Sequence, residues 1–214
     1  MALPYPPFQL EVTTPRLRLL GATDGRLEQL IPIVRDGVVQ DDELPFDDPM
    51  SFYEPSPTRE WRWMRAIWSG RARTEASWWR LYFVVEVDDA LVGMQDLIAE
   101  DFPTFGAVTT FSWLAPEARR RGIGREMRAA ILHLAFAGLA AREATSEAFV
   151  DNTASNAVSR ALGYEENGTA WATRRGSPCE LRRWTLSRAS WEAAPRTDIT
   201  ISGVAECLPF LGLA

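Results

Sequence analysis

Apolar positions along this 214-residue chain switch between a period of two and a period near 3.6, and the switches mark out its elements. Thr14-Pro15-Arg16-Leu17-Arg18-Leu19-Leu20 alternates and predicts a strand. Thr23-Asp24 opens a helix with apolar residues at Leu27, Leu30, Ile31 and Val34, and Gly37 closes it. Ser56-Pro57-Thr58-Arg59-Glu60 starts a second helix, which carries Trp61, Met64, Ile67 and Trp68. Residues 81–87 and 91–98 read as a hairpin about Asp88-Asp89, and residues 106–114 as a further strand. Residues 121–140 predict a long helix, apolar nearly all round in its C-terminal half and therefore buried. A short strand at 144–150 and a helix at 153–162, ended by Gly163, follow it. A last hairpin, 164–173 with 179–186, turns at Arg174-Arg175-Gly176-Ser177. The order β-α-α-β-β-β-α-β-α-β-β describes an α/β or α+β layer fold with a mixed sheet. Residues 1–190 form one domain in this reading, and residues 191–214 a tail whose apolar end docks on it.

Composition narrows the classes. With 46% hydrophobic and 24% charged residues the chain is an ordinary globular one. A formal charge of −6 argues against a general nucleic-acid binder. No run of 18 apolar residues suggests a membrane span, and residues 1–7 show no basic-then-apolar leader pattern, so the expected location is the cytoplasm. Cys179 and Cys207 lack metal-type spacing and read as two free thiols; with His133 as the single histidine, no zinc site is expected. His133, between Leu132 and Leu134, reads as a buried structural histidine. Residues 40–57 carry four aspartates, two glutamates and four prolines, which makes a loop long enough to be functional. That acidity favours a cationic substrate, and Trp61, Trp63 or Trp68 either packs the core or walls its pocket.

Against this acidic background stands Arg119-Arg120-Arg121-Gly122-Ile123-Gly124, between a predicted strand and a predicted helix. Glycine lets backbone approach an anion closely. The open N–H groups and positive dipole end of a helix start favour negative charge, and guanidinium groups add forked donors to phosphate oxygens. The run reads as a phosphate-binding turn. No Walker-type Lys-Ser/Thr follows Gly124, which disfavours a nucleotide-triphosphate module.

Arg119-x-x-Gly122-x-Gly124 resembles the pyrophosphate motif of the GNAT superfamily of acyl-CoA-dependent N-acyltransferases. Asn152-x-x-Ser155-Asn156-x-x-Ser159-x-x-Leu162-Gly163-Tyr164 resembles that superfamily's later helix, with its Asn and its Leu-Gly-(Phe/Tyr) ending. Thr14-Pro15-Arg16-Leu17-Arg18-Leu19 resembles the branch holding the ribosomal-protein N-terminal acetyltransferases. Gly93-Met94-Gln95-Asp96-Leu97, Ser112-Trp113-Leu114, Glu126-Met127-Arg128-Ala129-Ala130 and Cys207-Leu208-Pro209 resemble an actinobacterial subset of it. The resemblance covers about residues 14–190 and implies a GNAT fold, a mixed central sheet splayed at the acyl-CoA site. It also implies acetyl-CoA or another acyl-CoA as co-substrate, no metal, and an amine on a small molecule or a protein N-terminus as acceptor. Acetyl is the expected acyl group; a succinyl-CoA-dependent transferase or a non-catalytic acyl-CoA binder is the alternative. A succinyl carboxylate would need a cationic residue in the channel. The tail and the tryptophan helix either serve a homodimer or cap the fold.

The resemblance also distributes roles. The amides from Arg119 through Arg120, Arg121, Gly122, Ile123 and Gly124 hold the pyrophosphate, Arg119 or Arg120 takes the 3′-phosphate, and Arg125 adds charge. Main-chain groups of Ser112, Trp113 and Leu114 pair with the pantetheine arm. Asn152, Ser155 and Asn156 flank it, although Asn152 also fits a helix cap. Ser159 stands where many members carry the tyrosine that protonates the leaving thiolate; a hydroxyl there still donates a hydrogen bond. The related subset carries an acid near position 109, where this chain has Thr109-Thr110. The base is therefore sought elsewhere. Asp96 is the candidate, predicted to share a strand face with Val92, Met94 and Ile98 and to be partly buried, with Glu100 and Asp101 behind it.

Overall fold

A computed structural model describes residues 5–39, 45–47 and 51–213. Part of the acid-rich loop, including Asp41, Asp42, Glu43 and Asp48, lies outside the described residues. Among the described residues nine strands form one sheet in the order β7-β8-β6-β5-β4-β3-β2-β1-β9. They are β1 Glu11–Thr13, β2 Arg18–Gly21, β3 Trp78–Val87, β4 Ala90–Glu100, β5 Ala107–Leu114, β6 Glu143–Phe149, β7 Glu165–Arg174, β8 Ser177–Ser187 and β9 Thr200–Ser202. All neighbours are antiparallel except β5 and β6. Helices α1 Asp24–Asp36, α2 Thr58–Ala72, α3 Phe102–Phe105, α4 Ile123–His133, α5 Thr153–Ala161, α6 Arg188–Glu192 and α7 Val204–Cys207 complete the fold. The mixed, splayed sheet expected from the sequence is present.

Local chemistry explains the boundaries. The Thr23 side chain accepts from the Arg26 amide and caps α1. Asp88 and Asp89 both take positive φ, 50° and 61°, the geometry that matches the twist of a two-residue hairpin. Arg175 and Gly176 repeat it between β7 and β8, at 52° and 75°. Of the strand predicted over 14–20 only residues 18–20 are strand, within β2; residues 14–17 turn between β1 and β2. Oγ1 of Thr14 accepts from the amides of Arg16 and Leu17, so the chain turns there, and Pro15 has no amide for a ladder. The helix predicted over 121–140 is α-helical to His133 and continues as a π-turn over Leu134–Gly138.

Two hydrophobic layers cover the sheet. Helix α4, with Ile123, Met127, Ala130 and Ile131, packs one face together with Phe83, Leu97 and Val108. Helices α1 and α2 pack the other through Leu27, Leu30, Val34, Trp63 and Ile67 against Tyr82, Val84, Met94 and Trp113. The tail is part of the body rather than an appendage. Strand β9 pairs with β1, Cys207 and Leu211 are fully buried, and burial pushes the Cys207 thiol up to about 12. Arg196 ties this segment to α4 through Glu126 at 2.9 Å.

Candidate active site

Strands β5 and β6 run parallel for only three residue pairs, ending at Thr109 opposite Thr145. Beyond that point each turns to its other neighbour: β5 stays paired with β4 as far as Leu114, and β6 with β8 as far as Phe149. The edges of residues 110–114 and 146–149 that face each other form an open notch, with backbone groups available to an extended ligand.

The arginine-glycine run closes the top of this notch. Arg120 and Gly122 both have positive φ, 58° and 79°, which turns the backbone into the start of α4. The amides of Ile123, Gly124 and Arg125 belong to the first turn, where no intrahelical carbonyl exists for them. Arg120, Arg121 and Arg125 are exposed. Arg119 is not placed as expected for a 3′-phosphate ligand. Its Nε donates to the Leu114 carbonyl at 3.1 Å and its Nη2 donates to the Val38 carbonyl, so this side chain braces the turn. Sequence reasoning missed Arg16. Its Nη2 donates to the Arg121 carbonyl at 2.7 Å, and its Nη1 lies 3.0 Å from where a Cβ on Gly122 would stand. The contact spans 105 positions, so no local pattern could reveal it.

Helix α5 meets the notch from the same side as α4. The Asn152 side chain caps it by accepting from the Ser155 amide at 3.1 Å. Asn156 is 2% exposed and turned inward. Its amide group donates to the carbonyls of Phe149 and Asn152, both at 2.9 Å, and its Oδ1 accepts from Trp184 Nε1 at 2.9 Å. The expected pantetheine contact from Asn156 is therefore replaced by an internal one: the amide fixes α5 against β6 and β8. Ser159 is fully buried, and its hydroxyl has no hydrogen-bond partner among the described residues. Of the strand residues, Ser112 is half-buried; Leu114 and Trp113 are buried, with Trp113 edge-on to Phe52 and Trp63.

On the opposite face lies a cavity of about 300 Å³, lined among others by Trp63, Tyr82, Asp96, Phe111 and Trp113, with Arg62, Arg65 and Arg80 also reaching it. Helix α2 passes over β3 at Gly70, where a Cβ would sit 1.9 Å from the Tyr82 hydroxyl. That close approach seats Tyr82 beside the cavity. Asp96 is 3% exposed. Oδ2 accepts from Arg80 Nε at 2.9 Å and Nη2 at 2.6 Å, while Oδ1 is buried without a partner. Arg80 also lies over the rings of Tyr82 and Phe111. Burial raises the Asp96 carboxyl above the usual carboxylate range, and Arg80 opposes that rise without cancelling it. The predicted face was wrong in one member. A bulge pairs Gly93 with Val85 but Leu91 with Glu86, so Val92 packs on the α4 side, away from Met94. Of the three tryptophans considered, Trp63 lines the cavity. Trp61 is exposed, and Trp68 is exposed with its Nε1 donating to Asp24. Asp96 lies on β4, behind β5, and Ser159 on α5; of the two only Asp96 lines this cavity. Glu100 and Asp101 are exposed at the far end of β4.

His133 is half-buried, edge-on to Trp191 and apart from the notch. Cys179 and Cys207 form no disulfide. No cluster of three His, Cys, Asp or Glu suited to a metal occurs among the described residues, and no described helix is long and apolar enough to cross a membrane.

The structure is similar to several solved acetyltransferases. Mycobacterium smegmatis RimJ in complex with CoA-disulfide superposes with a TM-score of 0.70 at 16% identity, over 93% of this chain and 92% of that one. A putative ribosomal-protein-serine acetyltransferase from Vibrio cholerae gives 0.61 at 21% identity, over 83% and 97%. The microcin C7 self-immunity acetyltransferase MccE, in complex with acetyl-CoA and AMP, gives 0.65 at 12%, over 81% and 93%. These likenesses concern the fold. The sequence profile of the acetyltransferase (GNAT) domain matches residues 16–165, which hold the splayed strands, the arginine-glycine turn and the cavity. The chain accordingly belongs to the GNAT acetyltransferase family, enzymes that transfer an acetyl group from coenzyme A to an amine.

Proposed function

We propose that the protein binds an acyl-CoA in the β5–β6 notch and passes the acyl group directly to a primary amine seated in the α2-side cavity. The observation that carries this is the notch itself: strand edges unpaired beyond Thr109 and Thr145, headed by a positive-φ turn at the start of α4. The turn amides and the exposed arginines suit a diphosphate, and the open edge of β5 suits an extended pantetheine arm. A β5 amide in the Ser112–Leu114 stretch polarises the thioester carbonyl. Asn152 and Ser155 support the arm from the cap of α5.

In the reaction the amine nitrogen attacks the thioester carbon. The C–N bond forms, the C–S bond breaks, and the thiolate leaves to take up a proton. Asp96 receives the proton from the amine; its raised carboxyl and its unpartnered Oδ1 suit it to that task. Ser159 donates a hydrogen bond toward the leaving sulfur, and a water supplies the proton. Holding amine and thioester together contributes much of the rate. The likeness to a protein named as a ribosomal-protein-serine acetyltransferase makes a protein N-terminus the first acceptor to try.

A thiol-release assay with acetyl-CoA against peptides with free N-termini, polyamines and amine-bearing antibiotics tests the proposal. Turnover with at least one amine class supports it. Tight coenzyme A binding without turnover of any amine would leave an acyl-CoA binder instead.

A further inference from the structure

Arg128 is out of place by ordinary rules of burial. It lies on α4 with 5% of its surface exposed, and no carboxylate pairs with it among the described residues. Its one hydrogen bond to a side chain runs from Nη1 to the Ser146 hydroxyl at 3.0 Å, and its Nε–H has no acceptor. A buried guanidinium without a counter-charge is costly to the fold. Glu126, two residues away, is turned to Arg196 in the tail. Nearby stands a second open donor, the buried hydroxyl of Tyr164, which has Arg128 and Thr110 as polar neighbours and closes no hydrogen bond of normal geometry.

The position of this cluster is specific. Thr110 and Ser146 are the first residues of β5 and β6 after the last paired couple, Thr109 and Thr145. Both are buried, and Arg128 reaches Ser146 from α4. The cluster therefore sits at the base of the notch, on the face that α4 covers, where the end of a ligand lying along β5 comes to rest. It offers two unused donors and one uncompensated positive charge. A carboxylate needs two donors and brings one negative charge.

Resting on the notch as the acyl-CoA site, we propose that Arg128, with Tyr164, recognises a carboxylate at the free end of the acyl group, so that the preferred donor is a coenzyme A thioester of a short dicarboxylic acid. The cation that such a donor requires is thus supplied from the α4 side of the notch, not from the arginines of the opposite cavity.

Succinyl-CoA and butyryl-CoA carry four-carbon chains and differ at the terminal group, so their ratio isolates the charge. In the wild-type protein succinyl-CoA is expected to bind about 10- to 100-fold more tightly than butyryl-CoA, the range for a buried charged hydrogen-bond pair. Arg128→Met is expected to abolish that ratio and, by removing an unpaired buried charge, to raise the melting temperature of the unliganded protein. Tyr164→Phe, the milder change, is expected to shrink the ratio severalfold. Calorimetric affinities decide the matter independently of turnover. Equal affinities for the two thioesters in the wild type, or an unchanged ratio in either folded variant, overturn the assignment. If neither thioester displaces coenzyme A while a nucleotide does, the notch reading falls as well; if acetyl-CoA binds and succinyl-CoA gains nothing, only the Arg128 assignment falls.

Discussion

Trp184 Nε1 donates to Asn156 Oδ1 at 2.9 Å in a fully enclosed contact that joins α5 to β8 beside the open notch. The amide nitrogen of the same asparagine holds the Phe149 carbonyl at the end of β6, and so one side chain ties three elements together. Asn156→Ala would strand the indole N–H and two carbonyls in the interior. At about 1 kcal/mol for each lost bond, the expected loss is about 3 kcal/mol. Urea unfolding checks it. A drop below about 1 kcal/mol would mean that water replaces these bonds and that the amide is available to a ligand after all.

The turn over residues 119–124 makes a separate prediction. Gly122 has φ +79°, and its missing Cβ leaves room beside the Arg16 guanidinium. Gly122→Trp places a bulky ring over the amides of the first helical turn and strains a left-handed backbone position. Coenzyme A affinity is expected to fall by at least about 100-fold, worth about 2.7 kcal/mol, while circular dichroism still reports a folded protein. Calorimetric titration of the variant with coenzyme A gives the answer, and normal affinity would remove the turn from the site.

Much of this was legible in the chain. The two periodicities located the four longer helices, α1, α2, α4 and α5, and most strands, but not the short α3, α6 and α7; the arginine-glycine run was identifiable because its chemistry is local: glycines, a helix start and charge within six residues. What escaped was non-local. Arg16 reaches the turn across 105 positions. Arg119 resembles a ligand in the sequence yet bonds the carbonyls of Val38 and Leu114, partners that no motif specifies. Val92 changed faces because a one-residue bulge inverts the alternation on which its assignment rested. Arg128 occupies an apolar stripe of α4, and only the fold reveals that no acid among the described residues answers it.

Asp96 and Arg80 set the expected pH behaviour of the transfer. A base acts when deprotonated, so kcat/KM should fall as pH drops through the Asp96 pKa, which burial holds above the usual carboxylate range. Asp96→Asn is expected to lower kcat/KM by about 100-fold, at the low end for general-base catalysis, and to erase that acidic limb, with coenzyme A affinity changed by less than about twofold. Arg80→Met removes the cation opposing the rise, and should carry the limb to higher pH. An unaltered profile in Asp96→Asn would assign the base to another group.

Ser159 is tested by the split between chemistry and binding. Its hydroxyl is buried and unpartnered, so Ser159→Ala removes a donor without leaving an orphaned protein acceptor. Single-turnover transfer is expected to slow by about tenfold, or 1.4 kcal/mol, with the affinity for coenzyme A nearly unchanged. Equal transfer rates in the two proteins would exclude the hydroxyl from the mechanism.

The tail gives a prediction about stability and pH. Arg196 binds Glu126 of α4 at 2.9 Å and Asp198 at 2.5 Å, and these hydrogen bonds hold both carboxyls below their usual values. A carboxyl lowered in the folded state favours folding once pH exceeds its unfolded value, near 4, and that contribution is lost as pH falls through the folded value. Arg196→Met should therefore destabilise the protein at pH 7 and matter progressively less below about pH 4. The anchored segment carries β9 and the fully buried Cys207 and Leu211, so the loss should be felt by the whole domain. Melting temperatures of both proteins between pH 3 and pH 8 measure the effect. Curves that stay parallel across that range would show that Arg196 acts by packing alone, with no contribution from the two carboxylates.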